Sequence, residues 1–307
     1  MSKYIVSIDL GGTNLKIALL DLNYKIRRKN VLDTRKFPGK NGLVLAITHA
    51  VNSMIRGARL KKSQILGIGL GVPGPVDAEK GIVHFFPNIP GWKEVKLASL
   101  LRKRLGLAVF LDNDAKVMAR AEYKSGSGRG FKNVLCITLG TGVGGGIILS
   151  GKLHRGQDNA AGEIGHLPIN EDGPLCNCGG KACLEAYVGN TRIVRYAERL
   201  FKRRISLEEL SLLAYNNNKL ALKVWHDAGS RLGVALTGMV NVLNLDAIVI
   251  GGGVANAGRV LFDKIKETIK KRAMSVQAKR VKIFKAKLGK DAGLIGAAIL
   301  VQEGLNG

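Results

Sequence analysis

Four side chains within one short stretch could hold a metal. His166 is followed by Cys176, Cys178 and Cys183, with nine, one and four residues between them, and Gly179-Gly180 supply a turn inside the group. Three thiolates and one imidazole suit tetrahedral Zn²⁺, and with all four positions filled such an ion would be structural. The competing reading is three unrelated buried thiols. Cys136 lies in an apolar run and reads as core.

Two glycine-rich turns could cradle phosphate. In Asp9-Leu10-Gly11-Gly12-Thr13-Asn14-Leu15-Lys16, adjacent glycines let backbone N–H groups converge on an anion, and Thr13 adds a hydroxyl donor. Asp9 could hold Mg²⁺ through water. This is no Walker loop, because the Gly-x4-Gly-Lys spacing and the following helix are missing. An ordinary hairpin turn would look the same. Gly140–Gly146 places five glycines in seven residues, with Thr141 between Gly140 and Gly142. That is more glycine than a simple turn requires. Gly251-Gly252-Gly253 could offer a flat base or ribose a surface without side chains, or could be a tight strand-to-helix turn.

Asp112-Asn113-Asp114 closes a strand and opens a helix. Asn113 or Asp114 could simply cap that helix. The chemical reading is a general base at Asp114, accepting a proton from a substrate hydroxyl. Glu163 and Glu185 flank the cysteine cluster and could accept hydrogen bonds from sugar hydroxyls; isolated glutamates are more often surface residues.

The elements that must position these groups follow from periodicity. Strands are expected over residues 3–9 and Leu15–Leu22, paired as a hairpin. A helix is expected over Leu43–Arg59, where Leu43, Ile47, Val51 and Ile55 recur every four residues. A strand Ile65–Val72, a helix Leu97–Leu105, a strand Ala108–Leu111 and a helix after Asn113 come next. Then the pattern recurs. Val134–Leu139 reads as a strand, Gly140–Gly146 as a turn, and Ile147–Leu149 as the start of a return strand. Ungapped, Ile8 lies over Ile137 and Leu20 over Leu149, which suggests two related α/β halves. After a loop-rich stretch, Gly151–Gly180, helices are expected over Leu184–Arg203, Leu207–Asn216 and Leu220–Leu243. A strand Ala247–Ile250, a helix Val260–Arg272, a strand Arg280–Phe284 and a helix Ala292–Gln302 complete the chain.

Composition sets the frame. The chain has 307 residues, 46% of them hydrophobic, which is globular rather than disordered. Its 48 Lys and Arg against 23 Asp and Glu give a net charge of +25, spread along the sequence. Dispersed charge reads as a solvated surface, with an anionic substrate or polyanion as the sharper alternative. No nucleic-acid-reading motif is present. Without a secretion signal or a membrane-length apolar run, a cytoplasmic protein is expected, in which cysteines point to metal rather than disulfides.

Taken in order, these motifs resemble the ROK family (repressor, open reading frame, kinase). The resemblance rests on Asp9-x-Gly-Gly-Thr-x-x-Lys16, Gly71-Val-Pro-Gly-Pro-Val-Asp77, Pro87-Asn88, Asn113-Asp114-Ala115 and Leu139–Gly146. It rests above all on Gly162-Glu-Ile-Gly-His166 followed by Cys176-x-Cys178-Gly-Gly-x-x-Cys183-x-Glu185. It implies an α/β, actin-like (ribonuclease-H-like) ATPase fold of two α/β domains with an interdomain cleft. A small domain would span 1–113 plus 294–307, and a large one, carrying the zinc loop, 114–293. It implies a hexose kinase using ATP and Mg²⁺, with Asp114 as base. ATP phosphates would lie at Asp9, Gly11, Gly12, Thr13, Lys16, Gly140, Thr141 and Gly142, and adenosine at Gly252 and Gly253. Sugar contacts would come from Asn88, Asn113, Asp114, Glu163, His166 and Glu185, with His166 also on the zinc. Glucose is the expected sugar. N-acetylmannosamine, N-acetylglucosamine and fructose remain alternatives, as does polyphosphate as donor. A homodimer is implied. The family's sugar-responsive repressors carry an N-terminal DNA-binding domain, for which the expectation here is no room before Asp9. Ala182 departs from the glycine usual before the last cysteine.

Overall fold

The computed structural model describes residues 2–37, 39–86 and 91–306. The chain divides into two compact units. The first comprises residues 1–124, 155–161 and 290–307, and the second 125–154 and 162–289. The sequence boundary at Asn113/Asp114 assigned the helix after Asn113 and residues 155–161 to the second domain; both pack with the first unit.

The first unit is built on a five-stranded sheet. Its strands are β1 (Tyr4–Leu10), β2 (Asn14–Asp21), β3 (Ile26–Asp33), β4 (Ile65–Val72) and β8 (Val109–Asn113), in the order β3-β2-β1-β4-β8. The first three form an antiparallel meander, and β4 and β8 add in parallel to β1. Three short strands, β5 (Val76–Asp77), β6 (Ile82–Phe85) and β7 (Lys93–Val95), form a separate sheet. Strand alternation sends Val6, Ile8 and Leu10 against helices α1 (Gly39–Gly57) and α2 (Leu97–Leu105). It sends Ile5, Ala18 and Leu20 against α10 (Ala292–Asn306). Helix α3 (Asp114–Ser125) packs beside α10 through Val117 and Ala297. Contact with α10 is close enough to demand glycine. A Cβ on Gly69 would run into the Ala297 carbonyl, and one on Gly296 into the Val117 carbonyl.

The second unit repeats this plan. Its sheet has the order β11-β10-β9-β12-β13, built from β9 (Val134–Leu139), β10 (Val143–Leu149), β11 (Lys152–His154), β12 (Ala247–Gly251) and β13 (Lys282–Lys285). Again three antiparallel strands are extended by two parallel ones. The sequence repeat holds to within one residue: Leu20 partners Ile5 across β1–β2, but Val134, the counterpart of Ile5, partners Ile148 rather than Leu149, because the β9–β10 turn is one residue shorter. One face carries helices α4 (Glu185–Val188), α5 (Asn190–Phe201), α6 (Leu207–Tyr215), α7 (Lys219–Leu243) and α8 (Arg259–Arg272), with α9 (Ser275–Arg280) beyond. Their core joins Leu135, Ile137, Ile248 and Ile250 to Trp225, Leu232, Leu236 and Ile265.

Four expectations are corrected. The glycine turn is short, because β10 already starts at Val143 and Gly144–Gly146 are strand residues. The helix expected over Leu184–Arg203 breaks at Gly189, whose backbone is extended (ψ 145°). There a Cβ would sit 2.9 Å from the Thr141 carbonyl oxygen. The strand expected over Arg280–Phe284 lies at Lys282–Lys285, since α9 occupies Ser275–Arg280. Strand β3 has no counterpart in the sequence reading. Its central residues, Arg27–Val31, are exposed, so no apolar alternation marks it, and its charges blunt a sheet edge.

Gly145 shows what the extra glycines do. A Cβ there would lie 2.5 Å from the Gly162 oxygen and 2.9 Å from Ile164 Cγ2. Gly162 itself has φ +99° and faces the Gly145 carbonyl. Two backbones meet with no side chain between them, and this seats the segment leading to Glu163 and His166. Gly145→Ala is expected to destabilise the second unit by about 2 kcal/mol through overpacking, read as a lower melting temperature in calorimetry.

Candidate active site and metal centre

In the first unit, the β1–β2 turn is tied down from two sides. The Gly11 N–H donates to the Asn14 carbonyl at 2.8 Å, and Thr34 donates through its N–H to Thr13 O and through its hydroxyl to Gly11 O. Gly12 and the exposed Thr13 form the tip. Lys16 Nζ pairs with Asp9 Oδ2 at 2.7 Å. Gly293 of α10 lies against that carboxylate, where a Cβ would stand 2.6 Å from Asp9 Cγ. Asp9 is therefore held at the strand end beside a lysine, a setting that suits a hydrated cation or a phosphate oxygen.

At the end of β8 the capping question has an answer. Asn113 Oδ1 accepts from the Ala115 and Lys116 N–H groups at 3.0 and 3.3 Å, so Asn113 caps α3. Its amide donates to the Gly74 carbonyl at 3.1 Å, which ties the cap to the loop after β4. Asp114 is the first helical residue, half-buried. Two residues earlier in the chain, Asp112 anchors a charge cluster that the sequence did not reveal. Asp112, 1% exposed, accepts from Arg155 at 2.8 Å and lies 3.4 Å from Arg120. Burial lowers the Arg120 guanidinium below its usual range, Asp112 opposing the shift, and Arg120 also pairs with Glu303 of α10. Arg155 and the contact of Lys116 Nζ with the Asn159 carbonyl fasten residues 155–161 to the first unit. Apart from Asp112 and Arg120, eight residues apart, these pairs join positions more than forty apart, so no local pattern marks them. Asn88 lies outside the described residues.

In the second unit, the β9–β10 turn is closed by the Gly140 N–H donating to Gly142 O at 2.9 Å. The Asn190 N–H at the start of α5 donates to Gly140 O, and Thr141 is exposed at the tip. Glu185 Oε2 accepts from the Val143 N–H at 2.8 Å and lies where a Cβ on Gly142 would be. Its other oxygen is 3.9 Å from Cys176 Sγ. One carboxylate thus links the glycine turn to the cysteine cluster, a bracing role that the sequence reading missed. Glu163 precedes the 3₁₀ turn Ile164–His166 and accepts the His166 N–H through its carbonyl. Gly252 has φ +88°, and a Cβ there would collide with the Leu139 backbone, whereas Gly253 faces open space.

The four metal-ligand candidates converge. Their ligand atoms all lie within 4.8 Å of one another. Two backbone ladders bring them together: Leu184 N–H to Leu167 O and Ile169 N–H to Ala182 O place Cys183 beside His166. The Cys176 N–H to Gly180 O bond closes the small loop holding Cys178. Cys178 Sγ is 3.7 Å from Cys183 Sγ, and His166 Nδ1 is 3.7 Å from Cys176 Sγ. Tetrahedral zinc with Zn–S bonds of about 2.3 Å requires sulfurs about 3.8 Å apart. The donor set fits that ion. Burial, and then the adjoining Cys178 and Cys176 thiols, push Cys183 up to about 12, so the cluster resists full ionisation without a cation. Ala182 is buried with φ +56°, a left-handed conformation that explains why glycine would be at home there.

These two topologically equivalent halves, each presenting a glycine turn between its first two strands, define an α/β fold of the actin-like ATPase class. A family model described as the ROK family matches residues 5–304. The chain belongs to the ROK family. It is 36% identical over 316 residues to a glucokinase of Halalkalibacterium halodurans, covering 98% of this chain and 96% of the relative. Among solved structures it resembles the ROK hexokinase of Thermus thermophilus, with a TM-score of 0.86, 32% identity and coverage of 99% and 100%. It also resembles a ROK family glucokinase from Streptomyces griseus in complex with glucose and AMPPNP, with a TM-score of 0.83, 31% identity and coverage of 98% and 99%.

Proposed function

We propose that this protein transfers the γ-phosphoryl group of ATP to a hexose, glucose, at its 6-hydroxyl. The supporting observation is the pair of equivalent glycine turns, one tipped by Thr13 and one by Thr141, in a chain of this family. In this reading Gly11, Gly12, Thr13 and Lys16 of one unit and Gly140, Thr141 and Gly142 of the other bind ATP phosphates. Gly252 and Gly253 face the adenosine, and Asp9 holds Mg²⁺ through water. The Mg²⁺ neutralises charge on the transferred group when bound. Backbone and hydroxyl donors at the turn tips stabilise charge on the equatorial oxygens.

Asp114 accepts the proton of the attacking hydroxyl. Asn113 can aim its second amide hydrogen at a sugar oxygen, since its carbonyl is used as the helix cap. Asn88, Glu163, His166 and Glu185 complete the sugar contacts. His166 would hold zinc through Nδ1, the nitrogen facing Cys176, leaving Nε2 for the sugar. The zinc would be structural, bound by His166, Cys176, Cys178 and Cys183. The same reading carries a cytoplasmic homodimer. No helix among the described residues is long and apolar enough to cross a membrane.

The test is a coupled ADP-release assay over a panel of hexoses. Glucose is expected to give the highest kcat/KM. N-acetylmannosamine or fructose exceeding it would change the sugar, and no turnover on any hexose would overturn the reading.

A further inference from the structure

One cavity of about 850 Å³ lies wholly within the second unit, lined by residues of α4, α5 and α7 and by Pro174. That is the size of a small-molecule site. Its lining is unusual in charge. Arg192, Arg195 and Arg199 fall at intervals of three and four on α5, so they form one stripe along the helix. Arg231 joins them from α7.

None of these four guanidiniums has an ion-pair partner among the described residues. Two are instead placed over rings, Arg231 at 4.1 Å from the Tyr187 centroid and Arg199 at 5.9 Å from that of Tyr196. The cavity also contains two acids, but Asp227 is engaged by the Tyr196 hydroxyl at 2.7 Å and by Lys223 at 3.6 Å. Among the lining residues the four arginines outnumber the two acids, leaving a surplus of positive charge in a concave site. Planar guanidiniums without carboxylate partners are suited to bidentate hydrogen bonding with phosphate oxygens.

We propose that this cavity binds a phosphate-bearing small anion, at a site separate from the glycine turns. The proposal does not rest on the kinase reading, because none of the four arginines is assigned there. It gives part of the +25 net charge a specific use. The ligand could come from a sugar phosphate, a nucleotide or free polyphosphate, and the chemistry recognised is the same.

Isothermal titration with glucose 6-phosphate, ADP and inorganic tripolyphosphate tests it. Three proteins are compared: wild type, Arg195→Gln/Arg199→Gln, and Lys266→Gln/Lys270→Gln. Arg195, Arg199, Lys266 and Lys270 are exposed, so folding should persist, checked by circular dichroism. The arginine variant is expected to lose at least tenfold in affinity for one binding event, and the lysine variant less than twofold. The probe most affected names the source. Identical isotherms for wild type and the arginine variant would overturn the proposal. So would equal losses in both variants, which would mean general attraction by surface charge. Dissociation of a dimer in the arginine variant, with phosphate binding unchanged, would also overturn it, by assigning the cavity to a second copy of the chain.

Discussion

Asp114→Asn is expected to lower kcat for glucose phosphorylation by about 10³, within the range of general-base contributions, with the sugar KM changed less than about threefold. Asn113 caps α3, and asparagine at 114 keeps the Oδ1 that accepts the Ala115 N–H, so the substitution chiefly removes the proton acceptor. Asparagine also keeps the shape of the side chain at the first helical position. The folding cost is the loss of one favourable charge at the helix start, about 0.5 kcal/mol. Steady-state kinetics beside a thermal melt separates the two effects. A kcat near that of the wild type would remove Asp114 as the base and leave it a helix-terminus residue.

The second large effect concerns metal. Purified protein is expected to contain about one zinc per chain, and Cys178→Ala to abolish it. Cys178 is the exposed member of the cluster, so its loss disturbs little packing and reports on the ion itself. A melting temperature lower by about 10 °C or more is expected, since structural zinc contributes several kcal/mol to folding. The damage should reach the nucleotide side as well. Glu185 stands between Cys176 and the Val143 N–H, so a slack cysteine loop frees the β9–β10 turn. Both the ATP and the sugar KM should therefore rise. A Cys178→Ala protein free of zinc yet wild type in stability and activity would refute the metal site.

What could be read in advance depended on how far apart the interacting residues are. The cysteine cluster was legible because its ligands lie close in sequence and thiols beside an imidazole have few other uses. The two hairpins were legible because buried strands are written in apolar runs flanking glycine. Gly144–Gly146 misled because glycines in a row read as a turn, whereas the need for glycine at Gly145 is set by Gly162, a partner well outside the local window. The break at Gly189 has a similar origin in the approach of Thr141. Strand β3 carries no apolar alternation to detect. The Asp112–Arg155 pair joins segments separated by a whole hairpin. For Asp114 itself, spacing left cap and base open; the structure puts Asn113 at the cap position, with Asp114 Oδ1 also accepting the Ala115 N–H, and the base role stays a proposal.

The glycine-fitted seat of α10 on β1 and β4 has a consequence for biosynthesis. Leu10 ends β1 and Ala292 starts α10, a separation of 292 − 10 = 282 residues. At translation speeds of 5–20 residues per second, α10 follows β1 by roughly 15 to 60 s. Through that interval Ile5, Ala18 and Leu20 lack their covering helix, while all of the second unit's sequence is made. The half that emerges first is thus the half that matures last. Released chains ending at residue 289 should yield a protease-resistant second unit and a first unit that is readily digested.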